Sequence, residues 1–338
     1  MILKILKRVV SYLLVLLGLS VFVFILVRVM PGDTARLALG PRAPEETVQA
    51  LRREMHLDKS IPVQYYYWLK GILQGDLGTS VISKRPITED IAFYLPATVE
   101  LALLSAIFMA TFGILLGVTA TKYSEKWPDA IIRVLSYLGI VAPAFLWAVL
   151  AMLLFAYLIP ILPVSGRISA GIAPPVTRTG LYIVDYLLQG NFAGAWDAFR
   201  HLVMPAIVLS FGGISQSARI CRASMVSNME KPYAAAERAY GIPENKILYK
   251  YLLKPSLNSF ISVTALDIAM LFGGAYLVES IFNYPGLSRY GLTAMLNKDV
   301  FAVSAVMLVD GVIVIGFNLV TDIIISFLDP RIRYSSST

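Results

Sequence analysis

Apolar residues in this chain gather into six long runs: Val9–Val29, Ala97–Ala120, Val134–Ile159, Leu202–Met225, Phe260–Val278 and Phe301–Leu328. A helix needs about 20 apolar residues to cross a hydrocarbon core, so each run predicts a transmembrane helix. The fold class expected is an all-α integral membrane protein with six transmembrane helices. The fourth run is the most polar, with Gly212, Gly213, Ser215, Gln216 and Ser217. Such a helix is tolerated where its polar face meets other helices or a water-filled path. The first run follows Lys4, Lys7 and Arg8, as a signal peptide would. It is too long for the apolar part of one, and no small-x-small cleavage site follows, so it reads as a retained signal anchor.

Two of the intervening stretches are long enough to carry structure. Between the first two runs, Pro44-Glu45-Glu46-Thr47 places acids in a first helical turn, and Val48, Leu51, Met55 and Leu57 follow at loosely helical spacing. A second helix is expected from Pro62, with Tyr65, Tyr66, Tyr67 and Trp68, before the turn-rich Gly71–Gly78. This segment reads either as a helical cap on the membrane part or as a docking surface for a partner. Between the fourth and fifth runs stands Lys231-Pro232-Tyr233-Ala234-Ala235-Ala236-Glu237-Arg238-Ala239-Tyr240-Gly241-Ile242-Pro243-Glu244. Pro232 suits a first helical turn, three alanines favour helix, and Gly241 suits a left-handed stop. Pro243 and Glu244 then suit the start of a second helix. A short helix, a sharp turn and another helix, with small side chains on the first, fit insertion into a partner's groove. The same pattern fits a hairpin lying on anionic lipid.

Composition agrees with burial in lipid. Hydrophobic residues make up 57% of the 338 and charged residues only 15%, against roughly 45–50% and 25% for soluble domains. Mean hydropathy is +0.69. A soluble enzyme, a disordered chain and a disulfide scaffold are excluded, the last because Cys221 is the one cysteine. The net charge of +7 is explained by topology rather than by nucleic acid. Lys4, Lys7, Arg8, Lys122, Lys126, Arg133, Arg219, Arg222, Lys231, Arg238, Lys246, Lys250, Lys254, Arg331 and Arg333 all fall on one side, which the positive-inside rule makes cytoplasmic. Both termini are then cytoplasmic, and the charge-balanced segment 31–96 lies outside.

The Tyr233–Lys250 stretch resembles the EAA loop of binding-protein-dependent ABC transporter permeases. The chain as a whole is similar to the B-type permease subunit of the dipeptide/oligopeptide family. The segments that carry this run from end to end: Arg28–Asp33, Pro62–Tyr65, Gly75–Ser80, Leu95–Leu101, His201–Ala206, Val278–Leu287 and Leu328–Arg333. The resemblance implies a type I ABC importer permease fold in a bacterial or archaeal inner membrane. It implies a first helix within 1–30, an extracytoplasmic segment over 31–96, a five-helix core over 97–328 with a coupling loop at 227–254, and a cytoplasmic tail over 329–338. It also implies a second, homologous permease subunit, two cytoplasmic ATPases and an extracytoplasmic substrate-binding protein. The ATPase-coupling residues would be Tyr233, Ala234, Ala235, Ala236, Glu237, Arg238, Gly241 and Pro243. Di- or oligopeptides are the implied substrates, with oligosaccharides, metal chelates and glutathione as alternatives.

The chain's own residues fit a division of labour. A phosphate-cradling loop needs G-x-x-x-x-G-K-[ST], and no glycine here precedes a lysine. ATP and magnesium are therefore expected on the partner ATPases, with no cofactor on this chain. His56 and His201 have no second ligand at metal spacing. Acids inside the apolar runs need a reason, because a charge at bilayer depth is costly. Glu100 and Asp322 lie near span ends, whereas Asp267 and Asp310 lie deeper. Glu100, Gln216, Asp267 and Asp310 are candidates for the translocation path. The alternative for the deep acids is a buried pairing with arginine or backbone. The family tends to carry a neutral amide near Asp267, and Asp310 is also unusual. A secondary transporter would predict inverted repeats, and an intramembrane hydrolase a nucleophile–base pair or metal cluster; the sequence displays neither.

Overall fold

The computed structural model describes residues 2–29, 34–40, 42–54 and 56–328. Met30–Asp33 of the first family-like segment and the tail 329–338, with Arg331 and Arg333, lie outside the described residues. In chain order the helices are α1 (Ile2–Val29), α2 (Thr34–Leu39), α3 (Glu45–Glu54), α4 (Ile61–Leu73), α5 (Ile87–Lys122), α6 (Trp127–Val141), α7 (Ala144–Met152), α8 (Tyr182–Leu188), α9 (Phe192–Met229), α10 (Pro232–Ala239), α11 (Glu244–Lys246), α12 (Lys254–Ile281), α13 (Leu287–Leu296) and α14 (Val300–Leu328). Wider π-helical turns extend α7 over Leu153–Leu158 and join α11 to α12 over Ile247–Leu253. Among the described residues no strand forms beyond one isolated bridge, Thr79 to Pro86. Among the described residues five helices are long and apolar enough to cross a membrane, or six if one bent pair makes a single span.

That bent pair corrects an expectation. The run Val134–Ile159 is not one continuous helix, because α6 and the helix from Ala144 to Leu158 meet at 113°. The cause is local: Ala142 precedes Pro143 and is extended, with ψ 133°. The proline ring disfavours helical geometry in the residue before it, so the helix stops there and restarts on Pro143. The fourth run, by contrast, is a single helix. It sits inside the 38 residues of α9, which at 1.5 Å per residue is long enough to extend well beyond the membrane. Its polar residues point inward, with Ser210, Ser215 and Ser217 all buried.

The chain forms two compact units. One comprises residues 1–98 and 285–315, and the other 99–284 and 316–338. In the first, Val23 and Phe24 of α1 are buried, and Phe24 packs edge-on against Tyr65 of α4 at 5.3 Å between centroids. The Ser20 hydroxyl also meets the Tyr65 hydroxyl at 2.8 Å. The turn-rich stretch before α5 is fastened by Asp299, just before α14, which accepts from the Ser80 hydroxyl at 2.6 Å and the Val81 N–H at 2.7 Å. Asp90, fully buried, accepts from Arg85 at 2.6 Å and from the Tyr290 hydroxyl at 3.0 Å. Ile87, Leu287, Ala294 and Ala302 form the apolar core around these links.

In the second unit α9 is the hub, with α6, α7, α8 and α12 packed along it. α5 meets it through Gly113 and Gly117, four residues apart. A Cβ on Gly117 would stand 2.5 Å from Cys221 Cβ and 3.0 Å from the Ala218 carbonyl, and one on Gly113 would stand 2.7 Å from Ser217 Cβ. In lipid there is no hydrophobic drive between helices, so close backbone approach at small residues supplies the contact. α6 uses the same device, with Gly139 against Ser215. The Ser217 hydroxyl bonds Thr264 of α12 at 2.8 Å. Cys221 is thus a small packing residue, fully buried against Gly117.

Gly117→Val should lower the stability of the purified protein by about 1–3 kcal/mol, the usual cost of overpacking. Thermal unfolding in detergent measures it. Gly273→Ala, where nothing lies within 4 Å of the added carbon, should leave the midpoint unchanged.

Candidate functional site: the cytoplasmic hairpin and the acids of the spans

The hairpin expected after the fourth run is present. Lys231 is extended (ψ 146°), and Pro232 takes the first turn of α10. The helix ends where Gly241 adopts φ +73°. There the Gly241 N–H donates to Arg238 O at 2.9 Å and the Ile242 N–H to Glu237 O at 3.2 Å. Together these bonds form the paired closure of a left-handed helix stop, and they satisfy carbonyls that would otherwise lack partners. Nothing lies within 4 Å of a Cβ built on Gly241. The demand for glycine is therefore a backbone demand and not one of space. Pro243 is extended (ψ 138°) and stands immediately before the second helix. Arg238 Nε reaches across the turn to Glu244 at 2.8 Å.

Beneath the hairpin lies a dry floor. Ala234, Ile247, Leu248 and Leu252 are buried with Val118 of α5, Cys221 and Met225 of α9 and Phe260 of α12. Ala234, one of the expected coupling residues, therefore faces the protein's own core. Ala235 and Ala236 are exposed, and Glu237 is half-buried. Tyr233, Tyr240 and Tyr249 flank them, with Tyr240 84% exposed. Arg238 is already engaged by Glu244 and braces the turn. Past the turn the helical path runs without interruption from Glu244 to Ile281. Lys254 and Pro255 do not break it, because the wider turn before them frees the proline position. Asn228 at the end of α9 donates to Ser256 Oγ at 2.9 Å, and Ser256 donates to Leu252 O at 2.7 Å. The hairpin is thus one piece with a membrane helix.

The four path candidates have separate fates. Glu100, one of the path candidates, is 7% exposed and engaged by three partners within the chain. It accepts from Arg167 at 2.6 Å, from the Ile183 N–H at the start of α8 at 2.9 Å and from the Tyr284 hydroxyl at 3.4 Å. The Arg167 guanidinium also lies 3.6 Å from the centroid of the Tyr182 ring. The pairing with arginine anticipated for the deep acids is thus found at Glu100. Arg167 lies 67 residues from this partner, so no local pattern marks the pair. Nearby, Asp185 gathers the N–H groups of Thr179 at 2.8 Å and Gly180 at 2.9 Å. Burial alone would raise its pKa, but these bonds outweigh burial and hold it below the ordinary carboxylate value.

Gln216 accepts from Arg219 at 2.7 Å. Asp267, in the middle of α12, is half-buried, and its Oδ2 is enclosed without a hydrogen-bond partner among the described residues. Met270 and Leu266 beside it are exposed, and Gly273 and Gly274 open onto empty space. Asp310 is half-buried in α14 and belongs to the other unit. His56 stacks on Tyr67 at 3.9 Å, and buried His201 contacts the Asp197 carbonyl at 2.9 Å.

Long apolar helices, a broken span and an exposed helical hairpin continuous with one membrane helix define a multi-pass helical membrane protein. The family model described as binding-protein-dependent transport system inner membrane component matches residues 111–334. Its N-terminal companion matches residues 1–102. The chain is 34% identical over 319 residues, 94% of each chain, to the probable D,D-dipeptide transport system permease protein of Escherichia coli K12. It is 32% identical over 328 residues, 97% of this chain and 98% of the other, to the dipeptide transport system permease protein of Alkalihalophilus pseudofirmus. It is 30% identical over 330 residues, 98% of each, to the glutathione transport system permease protein of Salmonella typhi. The chain belongs to the binding-protein-dependent transport system inner membrane component family. It is a permease subunit of an ABC importer with the type I permease fold, and ATP hydrolysis belongs to a separate subunit of the complex.

Gly241→Ala should cost about 1–2 kcal/mol, the penalty of a left-handed backbone for a residue with a Cβ. Gly241→Asn should cost less, since asparagine adopts that region more readily. Faster amide exchange at Gly241 and Ile242 in the alanine variant is the measurement.

Proposed function

We propose that this chain forms half of the translocation pathway of an ATP-driven importer of short peptides. The observation that carries the peptide assignment is similarity over nearly the full length to permeases named for dipeptides. The other half of the pathway would be a second, homologous permease subunit. Two cytoplasmic ATPases would supply the energy, and an extracytoplasmic binding protein would deliver the peptide. The absence of a phosphate-cradling motif from the sequence supports assigning ATP and magnesium to the ATPases. The basic residues on one side of the spans support cytoplasmic termini and an extracytoplasmic 31–96 segment, and the family supports a prokaryotic inner membrane.

In this reading Tyr233, Ala235, Ala236 and Glu237 meet an ATPase groove, with Ala234 fixing α10 to the core from below. Gly241, Pro243 and the Arg238–Glu244 pair set the angle of the turn. The helix from Glu244 to Ile281 then carries a displacement of the hairpin into the membrane. A rigid element that both the ATPases and the pathway bias is what coupling requires. Asp267 is the path residue with the best support: an enclosed carboxylate oxygen without a partner, beside an open glycine face, suits the ammonium group of a peptide. Gln216 and Asp310 remain candidates for contact with the substrate, each within its own unit.

The test is reconstitution with both permeases, both ATPases and the binding protein in proteoliposomes. Ala235→Trp should insert and assemble, yet lower dipeptide uptake and substrate-stimulated ATP hydrolysis by roughly tenfold or more, within the usual range of coupling energies. Dipeptides should compete for uptake, and glutathione and oligosaccharides should not. Uptake by the variant at the normal rate would remove the coupling role. Competition by glutathione alone would reassign the substrate.

A further inference from the structure

A cavity of about 180 Å³ lies between α6 and α9, lined by Arg133, Ser136, Tyr137, Arg219 and Arg222 over an alanine floor. Three arginines are among its lining residues, and two carboxylates stand nearby. One is Asp129, fully buried and already engaged: it accepts from Arg222 Nε at 2.5 Å, from Arg222 Nη2 at 2.7 Å and from the Glu125 N–H at 3.1 Å. Arg133 reaches it only at 3.7 Å. The other is Glu125, 80% exposed and 3.7 Å from Arg222. Arg219 has a neutral acceptor, Gln216. Positive charge is therefore in excess around a small cavity whose own lining is mostly apolar, and donors remain on Arg133 and Arg219.

The surroundings say what kind of anion belongs there. Leaving the cavity along α6, Val134, Leu138 and Val141 are 57%, 49% and 80% exposed. They stand four and three residues apart, on one face of the helix. A free anion has no use for an apolar track. A phospholipid needs both, a basic site for its phosphate and a greasy face for its chains. Tyr137, 57% exposed, has the amphipathic ring that favours the boundary between membrane and water. Arg222 lies seven residues before the end of α9, which places the cavity toward the hairpin end of the membrane helices. We propose that this cavity binds the phosphate of an anionic phospholipid whose chains lie along α6. The bound lipid would bridge α6 and α9 next to the Asp129–Arg222 pair that joins them.

The experiment uses the assembled transporter in mild detergent, incubated with phosphatidylglycerol or phosphatidylcholine of matched chains and read by native mass spectrometry. Wild type should retain phosphatidylglycerol in preference to phosphatidylcholine. Each arginine near a lipid surface contributes roughly fivefold in binding, so Arg133→Gln with Arg219→Gln should weaken retention by about twenty-five-fold. Arg133→Lys with Arg219→Lys should keep it. Excess inorganic phosphate should not displace the lipid. Equal retention of the two lipids by wild type, or unchanged retention in the glutamine pair, would overturn the proposal, as would displacement by phosphate, which would mark a soluble anion as the occupant. If the glutamine pair fails to assemble, the wild-type comparison of the two lipids decides.

Discussion

How closely its neighbours can approach α9 decides the rest of the larger unit. Water is absent from a bilayer core, so apolar surface gives helices no reason to leave lipid for one another. Association has to come from close packing and from hydrogen bonds between helices. α9 supplies both on one side, through Ser210, Ser215, Ser217, Ala218 and Cys221, all buried. Gly113, Gly117 and Gly139 complete the fit from α5 and α6, and the Ser217–Thr264 bond draws in α12. The polarity that sets this run apart from the other five is the property that makes it the hub.

The same packing delivers the hairpin. Its floor is built from the ends of α5, α9 and α12, so α10 rests on the helices it would have to move. Gly241 turns the chain, and the path from Glu244 to Ile281 has no break at which a displacement could dissipate. Elsewhere in that unit, Glu100, Arg167, Tyr284 and the start of α8 lock a second region together through a buried ion pair. Breaking such a pair costs far more than forming it contributes, because the remaining charge is stranded. That makes it an anchor for this region.

Local features were legible in the amino-acid sequence. Apolar runs of the right length, Pro232 at a helix start and Gly241 at its end depend only on neighbours along the chain, and each lies where the pattern places it. The helix starts at Glu45 and near Pro62 were legible for the same reason. Features that depend on a distant partner were not. Arg167 reads as an ordinary loop charge until Glu100 is placed beside it. Ala234 is indistinguishable from Ala235 in sequence, and only the core beneath α10 separates them. The break at Pro143 is different: the proline signal was present, but a strong hydropathy run on both sides hid it.

The separation of Ala234 from Ala235 offers the most direct check of the coupling account. Single cysteines at the two positions, in a background lacking Cys221, can be crosslinked to the assembled ATPases with a short thiol reagent. The account predicts an adduct from Ala235→Cys whose yield changes when nucleotide is added, and none from Ala234→Cys, whose side chain is fully buried. Equal crosslinking from both positions, or none from Ala235→Cys in a complex that still transports, would contradict it.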